Sequence, residues 1–70
     1  MEVLKINGIE RQFGSGQMPL TLTALLEQLD IKAATVAAEI DGQIVERKKF
    51  AETKLCNGQN IELVRFVGGG

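Results

Sequence analysis

The chain has 70 residues, of which 44% are hydrophobic and 24% charged, and its formal net charge is −1. This composition is typical of one small globular domain, which has little room for both a core and a deep, enclosed active site. The nearly balanced charge creates no field that favours nucleic acid or an anionic membrane surface.

The first predicted element is a β-hairpin. Two β-prone runs, Glu2–Ile6 and Ile9–Phe13, flank the dipeptide Asn7-Gly8. This dipeptide favours a two-residue turn with positive φ at both positions, so the two strands should pair directly.

A helix is predicted next. Thr21 is a suitable N-cap, because its hydroxyl can accept a hydrogen bond from a free backbone N–H of the first turn. Asp30 is unfavourable at the negative end of the helix dipole, so the helix should end about there. One apolar stripe suited to covering a sheet is formed by Leu22, Leu25, Leu26 and Leu29.

The C-terminal half of the chain predicts three more strands, over residues 35–41, 43–45 and 61–67. Asp41-Gly42 and Asn57-Gly58 are turn signals before the second and third of them. We expect Phe50 and Leu55 to anchor the mostly polar connection over residues 46–55.

The order of elements is ββαββ(β), with one helix between an N-terminal hairpin and the later strands. This order is that of the β-grasp. We therefore expect an α+β, ubiquitin-like fold, in which a mixed four- to five-stranded sheet carries one main helix on one face. The domain should comprise residues 1–67, followed by a flexible glycine tail over residues 68–70. The sheet side of the core should contain Leu4, Ile6, Val36, Ile40, Ile61 and Leu63.

Side chains suited to catalysis are scarce in this sequence. One cysteine, Cys56, and no histidine exclude an internal disulfide and all histidine-dependent constellations. No metal-ligand spacing and no phosphate-binding glycine motif occurs. We expect no catalytic residue, no bound metal or cofactor, and no autonomous enzyme. Cys56 stands in a turn before an apolar strand, and we expect it to be partly buried and structural.

The N-terminal residues lack the pattern of a secretion signal, and no segment reaches the length of a membrane span. A single cysteine suits a reducing compartment. We expect a cytoplasmic protein that is monomeric when free and binds neither nucleic acid nor membranes.

The chain closes with Gly68, Gly69 and Gly70 after an apolar strand. Glycines add nothing to a core and lose the most backbone entropy when ordered, so they make a poor structural end. Without Cβ atoms, Gly68 and Gly69 could thread through a narrow channel of a partner and bring the Gly70 carboxylate to a reactive centre. That carboxylate is ionised at neutral pH and must be activated, for example by ATP-dependent adenylation. A frayed end without function is the alternative.

Several segments, in this order and spacing, match a known family: Ile6-Asn7-Gly8, Leu25-Leu26-Glu27-Gln28-Leu29, Val36-Ala37, Ile40-Asp41-Gly42-Gln43-Ile44-Val45 with Arg47 beyond, and Phe66-Val67-Gly68-Gly69-Gly70. Over essentially its whole length the chain resembles the ThiS family, sulfur carrier proteins of thiamine biosynthesis. It departs from the family at Glu46, where proline is frequent, and at Phe50, where tryptophan is common. Neither departure touches the glycine tail.

The resemblance implies that a ThiF-like activating enzyme uses ATP to adenylate Gly70. A cysteine desulfurase would then supply the sulfur that converts Gly70 to a thiocarboxylate, and a ThiG-like thiazole synthase would receive that sulfur. In this scheme the chain is a co-substrate that is consumed and regenerated.

The last predicted strand is apolar on both faces, whereas one helix can cover only one face of the sheet. Val64 and Phe66 should therefore be exposed, and we expect them, with Val67 and Arg47, to dock partner proteins. Burial of Val64 and Phe66 beneath the 46–55 connection is the alternative.

Other functions are compatible with the same residues. They are the small subunit of molybdopterin synthase, another thiocarboxylate carrier such as one for cysteine or methionine synthesis, a ubiquitin-like modifier that forms isopeptide bonds, and a plain interaction module. Intact mass would separate these classes, because only a carrier exchanges oxygen for sulfur and only a modifier forms lysine conjugates.

Overall fold

The structure is a computed structural model that describes residues 1–66, and the structural statements below concern those residues. They form five strands, one α-helix and two short 3-10 helices. The elements are β1 (Glu2–Ile6), β2 (Ile9–Phe13), α1 (Leu22–Gln28), a 3-10 helix (Ala33–Thr35), β3 (Val36–Ile40), β4 (Gln43–Val45), a second 3-10 helix (Arg47–Lys49) and β5 (Asn60–Arg65).

The N-terminal hairpin has the predicted bounds and turn. Asn7 and Gly8 have φ values of 50° and 82°, and Ile6 pairs with Ile9 across the turn. Positive φ at both positions is what a type I′ turn requires, and it keeps the twist of the two strands compatible. The dipeptide 41–42 joins β3 to β4 with the same combination of φ values, 51° and 85°.

Helix α1 begins and ends as the sequence predicts. The Thr21 Oγ1 accepts a hydrogen bond from the backbone N–H of Ala24 at 3.1 Å, which satisfies a donor of the first turn. The helix ends at Gln28, and Asp30 adopts a φ of 59° that no further helical turn could accommodate.

The five strands form one mixed sheet in the order β2-β1-β5-β3-β4. β5 runs parallel to β1 and antiparallel to β3, and the two outer pairs are antiparallel. β5 is therefore the central strand. It ends at Arg65, earlier than the predicted strand over 61–67, and Phe66 lies just beyond it.

Helix α1 packs on one face of this sheet. All six sheet residues predicted for the core are buried, together with Phe50 and Leu55 as the sequence indicates. Leu29 is only partly buried because it caps the helix end. The remaining buried side chains of the core are Leu22, Leu25, Leu26 and Ala38.

The 46–55 connection lies on the helix side of the sheet. The carbonyl of Thr53 accepts a hydrogen bond from the N–H of Leu22 at 3.0 Å, and that of Phe50 accepts from Thr23 at 3.3 Å. These bonds fasten the connection to the start of α1, so the opposite face of the sheet is left uncovered by it.

One expectation concerns residues outside this range. The predicted boundary between a domain over 1–67 and a tail over 68–70 lies outside the described residues, so it stays a prediction. Within residues 1–66, no helix combines the length and the apolar character that crossing a membrane would require.

Candidate functional site

The candidate site is the C-terminal end of β5, the strand that leads to the predicted tail. Arg65 pairs with Val36 in the β3·β5 register, and the N–H of Phe66 donates to the carbonyl of Thr35 at 2.9 Å. The sheet therefore fixes the path of the backbone up to Phe66. Val67, Gly68, Gly69 and Gly70 lie outside the described residues, and the roles predicted for them stay predictions.

Asn7 fastens β5 from the other side. Its side-chain Nδ2 donates to the carbonyl of Leu63 at 3.2 Å, and its Oδ1 accepts from the N–H of Leu63 at 2.7 Å. The side-chain amide thus continues the hydrogen-bonding ladder where β1 has ended. The sequence indicates only a turn at Asn7, because the residue that its side chain contacts lies 56 positions away.

The sheet face opposite α1, which we call the outer face, carries alternate residues of each strand. On β3 and β5 these are the residues between the buried ones, namely Ala37, Glu39, Glu62 and Val64. Cross-strand register places Ile44 on the same face, beside Glu39. Val3 and Lys5 of β1 complete the central part of this face.

Apolar side chains are exposed on and beside the outer face. Val64 is 60% exposed, Phe66 56% and Ile44 78%. The predicted exposure of Val64 and Phe66 is confirmed, and the alternative of burial beneath 46–55 is wrong, because that connection is fastened to α1. Ile44 was missed, since β4 is too short to show an alternating pattern.

Arg47 lies near the same end of the sheet. Its guanidinium Nη2 donates to the carbonyl of Ala34 at 3.4 Å. The next residue, Thr35, accepts the N–H of Phe66, so adjacent residues hold Arg47 and Phe66. The docking role predicted for Val64, Phe66, Val67 and Arg47 stays a prediction.

Cys56 is exposed, so the prediction of a partly buried residue is wrong. Its N–H donates to the Gln59 Oε1 at 2.8 Å and its carbonyl accepts the N–H of Gln59 at 3.3 Å. The turn is thus held by the backbone of Cys56, while the neighbouring Leu55 supplies the buried side chain.

The described residues offer no constellation for catalysis. No polar or charged residue among them is buried, and no three His, Cys, Asp or Glu side chains within 1–66 approach closely enough to hold a metal ion. An open groove of about 460 Å³ lies beside the end of α1, and its lining includes Leu29, Arg11 and Arg65.

The family model of ThiS matches residues 4–70. The chain belongs to the ThiS family. It is 37% identical to the sulfur carrier protein ThiS of Escherichia coli strain K12 over 70 residues, with 100% of each chain covered. It is 34% identical to the sulfur carrier protein ThiS of Bacillus subtilis strain 168 over 50 residues, which are 71% of this chain and 76% of that protein.

A longer protein contains a similar region. A thiazole synthase of Paramagnetospirillum magneticum is 37% identical over 67 residues, which are 96% of this chain and 20% of that protein. This chain thus spans about one fifth of the length of that relative.

The fold also matches a solved structure of the family. The crystal structure of the thiamine biosynthesis protein ThiS from Geobacter metallireducens superposes with a TM-score of 0.81 at 33% identity, covering 97% of this chain and 99% of that chain. The predicted β-grasp fold is confirmed.

Proposed function

We propose that this chain is a sulfur carrier of thiamine biosynthesis that works through the carboxylate of Gly70. The observation that carries the proposal is the extent of the family match, which runs from residue 4 through the three terminal glycines to residue 70. Relatives of matching length are named sulfur carrier protein ThiS. This favours the thiamine pathway over the molybdopterin alternative.

The proposed chemistry starts at the ionised carboxylate. One carboxylate oxygen attacks the α-phosphorus of ATP, the acyl adenylate forms, and pyrophosphate leaves. A sulfur nucleophile at the oxidation level of sulfide then attacks the carbonyl carbon, AMP leaves, and a thiocarboxylate remains. Glycine at position 70 keeps that carbonyl free of side-chain crowding.

The partners follow from this chemistry. A ThiF-like activating enzyme would bind ATP, and a ThiG-like thiazole synthase would accept the sulfur. A cysteine desulfurase would supply that sulfur as a persulfide, and a thiol reductant would provide the two electrons that bring it to the oxidation level of sulfide, leaving as a disulfide. The thiazole synthase of P. magneticum that contains a region similar to this chain supports a link between the two activities. The chain itself would be a cytoplasmic, monomeric co-substrate without a cofactor of its own.

The length of chain after β5 limits where a partner can work. Residues 66–70 follow the last strand residue, Arg65. Five residues span at most about 18 Å when fully extended. A partner that docks on the outer face must therefore place its reactive centre within that distance of the end of β5.

Intact-mass analysis tests the proposal. Incubation with a ThiF-like enzyme, ATP and a sulfur donor should shift the mass of this chain by one oxygen-to-sulfur exchange, located at Gly70 by fragmentation. Deletion of Gly70 should abolish the exchange without lowering the unfolding temperature. Lysine conjugates would instead identify a modifier, and an unchanged mass would indicate an interaction module. Sulfur exchange in the Gly70 deletion would refute the assignment.

A further inference from the structure

Two carboxylates face each other across the middle of the outer face. Glu39 on β3 is directly opposite Glu62 on β5 in the antiparallel register. Directly opposite residues have Cβ atoms about 4.5 to 5.5 Å apart, and like charges in such a pair destabilise the sheet. Glu39 is half-buried and Glu62 is exposed.

Within residues 1–66, neither Glu39 nor Glu62 forms an ion pair. The ion pair found within residues 1–66 joins Lys48 to Glu46, and residues 67–70 have no basic side chain. Lys5 lies on the outer face of β1, level with Asn60 and diagonal to Glu62, and its cross-strand neighbour on β2 is Glu10. It makes no ion pair with either glutamate of the pair. The two carboxylates therefore repel each other, and no ion pair within residues 1–66 offsets that repulsion.

The surroundings of the pair are apolar. Ile44 is the cross-strand neighbour of Glu39 on β4, and the pair Ala37 and Val64 is the next one on this face toward the tail. Water now solvates the carboxylates. A partner that covers Ile44 and Val64 must displace that water, which is costly unless the partner supplies a positive charge.

We propose that the outer face docks a protein surface in which an arginine or lysine, set among apolar side chains, lies between the carboxylates of Glu39 and Glu62. An arginine fits best, because its planar guanidinium can donate to two carboxylates at once. The partner is the adenylating enzyme, and this identification rests on the proposed function. That enzyme must recognise the chain while Gly70 still carries a free carboxylate.

The substitution Glu62→Gln tests the contact, because it removes one charge and keeps the shape of the side chain. The dissociation constant for a purified ThiF-like enzyme, measured by calorimetry without ATP, should rise about fivefold to tenfold. The unfolding temperature of the free chain should rise by about 1 to 4 °C, because the repulsion is relieved. Stabilisation combined with weaker binding is the signature that a purely structural role would not produce.

Glu52→Gln is the matched control, since it removes the same charge from an exposed turn outside the sheet. It should leave the dissociation constant unchanged. The salt dependence of binding should be weaker in Glu62→Gln than in the wild type or in Glu52→Gln. Glu39→Gln should weaken binding in the same direction as Glu62→Gln.

The outcomes separate this contact from the proposed function. Wild-type affinity of both Glu62→Gln and Glu39→Gln at low salt would overturn the contact, even if Gly70 is sulfurated normally. A wild-type chain that binds the enzyme with the expected loss in Glu62→Gln, yet never exchanges oxygen for sulfur, would overturn the proposed function and leave the contact standing.

Discussion

Asn7 turns the chain from β1 to β2 and also holds β5 through its side chain. Its positive φ suits asparagine, and its amide makes two hydrogen bonds to the backbone of Leu63. Asn7→Ala should lower the free energy of unfolding by about 2 to 3 kcal/mol, from two lost hydrogen bonds and a strained residue in the left-handed region. Urea denaturation measures this loss.

Asn7→Gly is the control for the backbone. Glycine accepts the positive φ and removes only the side-chain hydrogen bonds, so Asn7→Gly should be more stable than Asn7→Ala. Two variants as stable as the wild type would show that the contact with Leu63 contributes nothing to folding.

At the scale of single residues, the sequence predicts local roles better than distant ones. Asn7 is recognised as a turn residue because the turn preference of Asn7-Gly8 depends only on these two neighbours. Its hydrogen bonds to Leu63 depend instead on where β5 lies in the sheet. The partial burial predicted for Cys56 was wrong for a related reason, since the composition of a turn does not show how far the neighbour of a buried residue turns inward. Leu55 is buried as predicted, and Cys56 is exposed.

Among the secondary-structure elements, β5 is the strand that leads to the tail on which the proposed function depends. Its outer side and the residue after it present Val64 and Phe66 to solvent. The double substitution of Val64→Ser and Phe66→Ser should reduce kcat/KM for adenylation by about tenfold or more, because exposed apolar clusters anchor interfaces. The free energy of unfolding should change by less than about 1 kcal/mol, since both side chains are largely exposed.

Leu20→Ser provides the matched control for this double variant. Leu20 is 78% exposed, and it lies before α1 rather than on the outer face. This control should be adenylated at the wild-type rate. Normal adenylation kinetics in a folded Val64 and Phe66 double variant would eliminate the docking role.

The elements themselves were largely predictable because their signals are periodic and local. The leucine stripe defined α1, and the turn dipeptides separated β1 from β2 and β3 from β4. The packing side of the 46–55 connection was not predictable. It depends on backbone hydrogen bonds to Leu22 and Thr23, which no local pattern specifies.

At the scale of the whole molecule, one small core supports the entire fold. Leu25 of α1 is fully buried in it. Leu25→Ala should lower the free energy of unfolding by about 2 to 5 kcal/mol, out of a total of about 0.05 to 0.15 kcal/mol per residue. Chemical denaturation should show this loss, and adenylation should fall with the folded fraction. A loss below about 1 kcal/mol would mean that α1 packs less tightly than described.

The two-layer arrangement could be anticipated from the succession of elements, because one helix between a hairpin and later strands can cover a single mixed sheet. The order of the strands within that sheet was not predicted. The candidate site was only partly predictable from the sequence. Exposure of Val64 and Phe66 follows from having one helix for two sheet faces, and sequence alone reveals that. The opposed carboxylates of Glu39 and Glu62 required the cross-strand register, which the sequence does not give.

The central position of β5 has a mechanical consequence. A pull on the C-terminal residues would act along β5, whose backbone is bonded to β1 on one side and to β3 on the other. Such a load shears many hydrogen bonds at once, whereas a strand at the margin of a sheet could peel away one bond at a time. A partner could therefore pull the last residues into a narrow tunnel under tension, while the folded domain remains intact at the tunnel entrance.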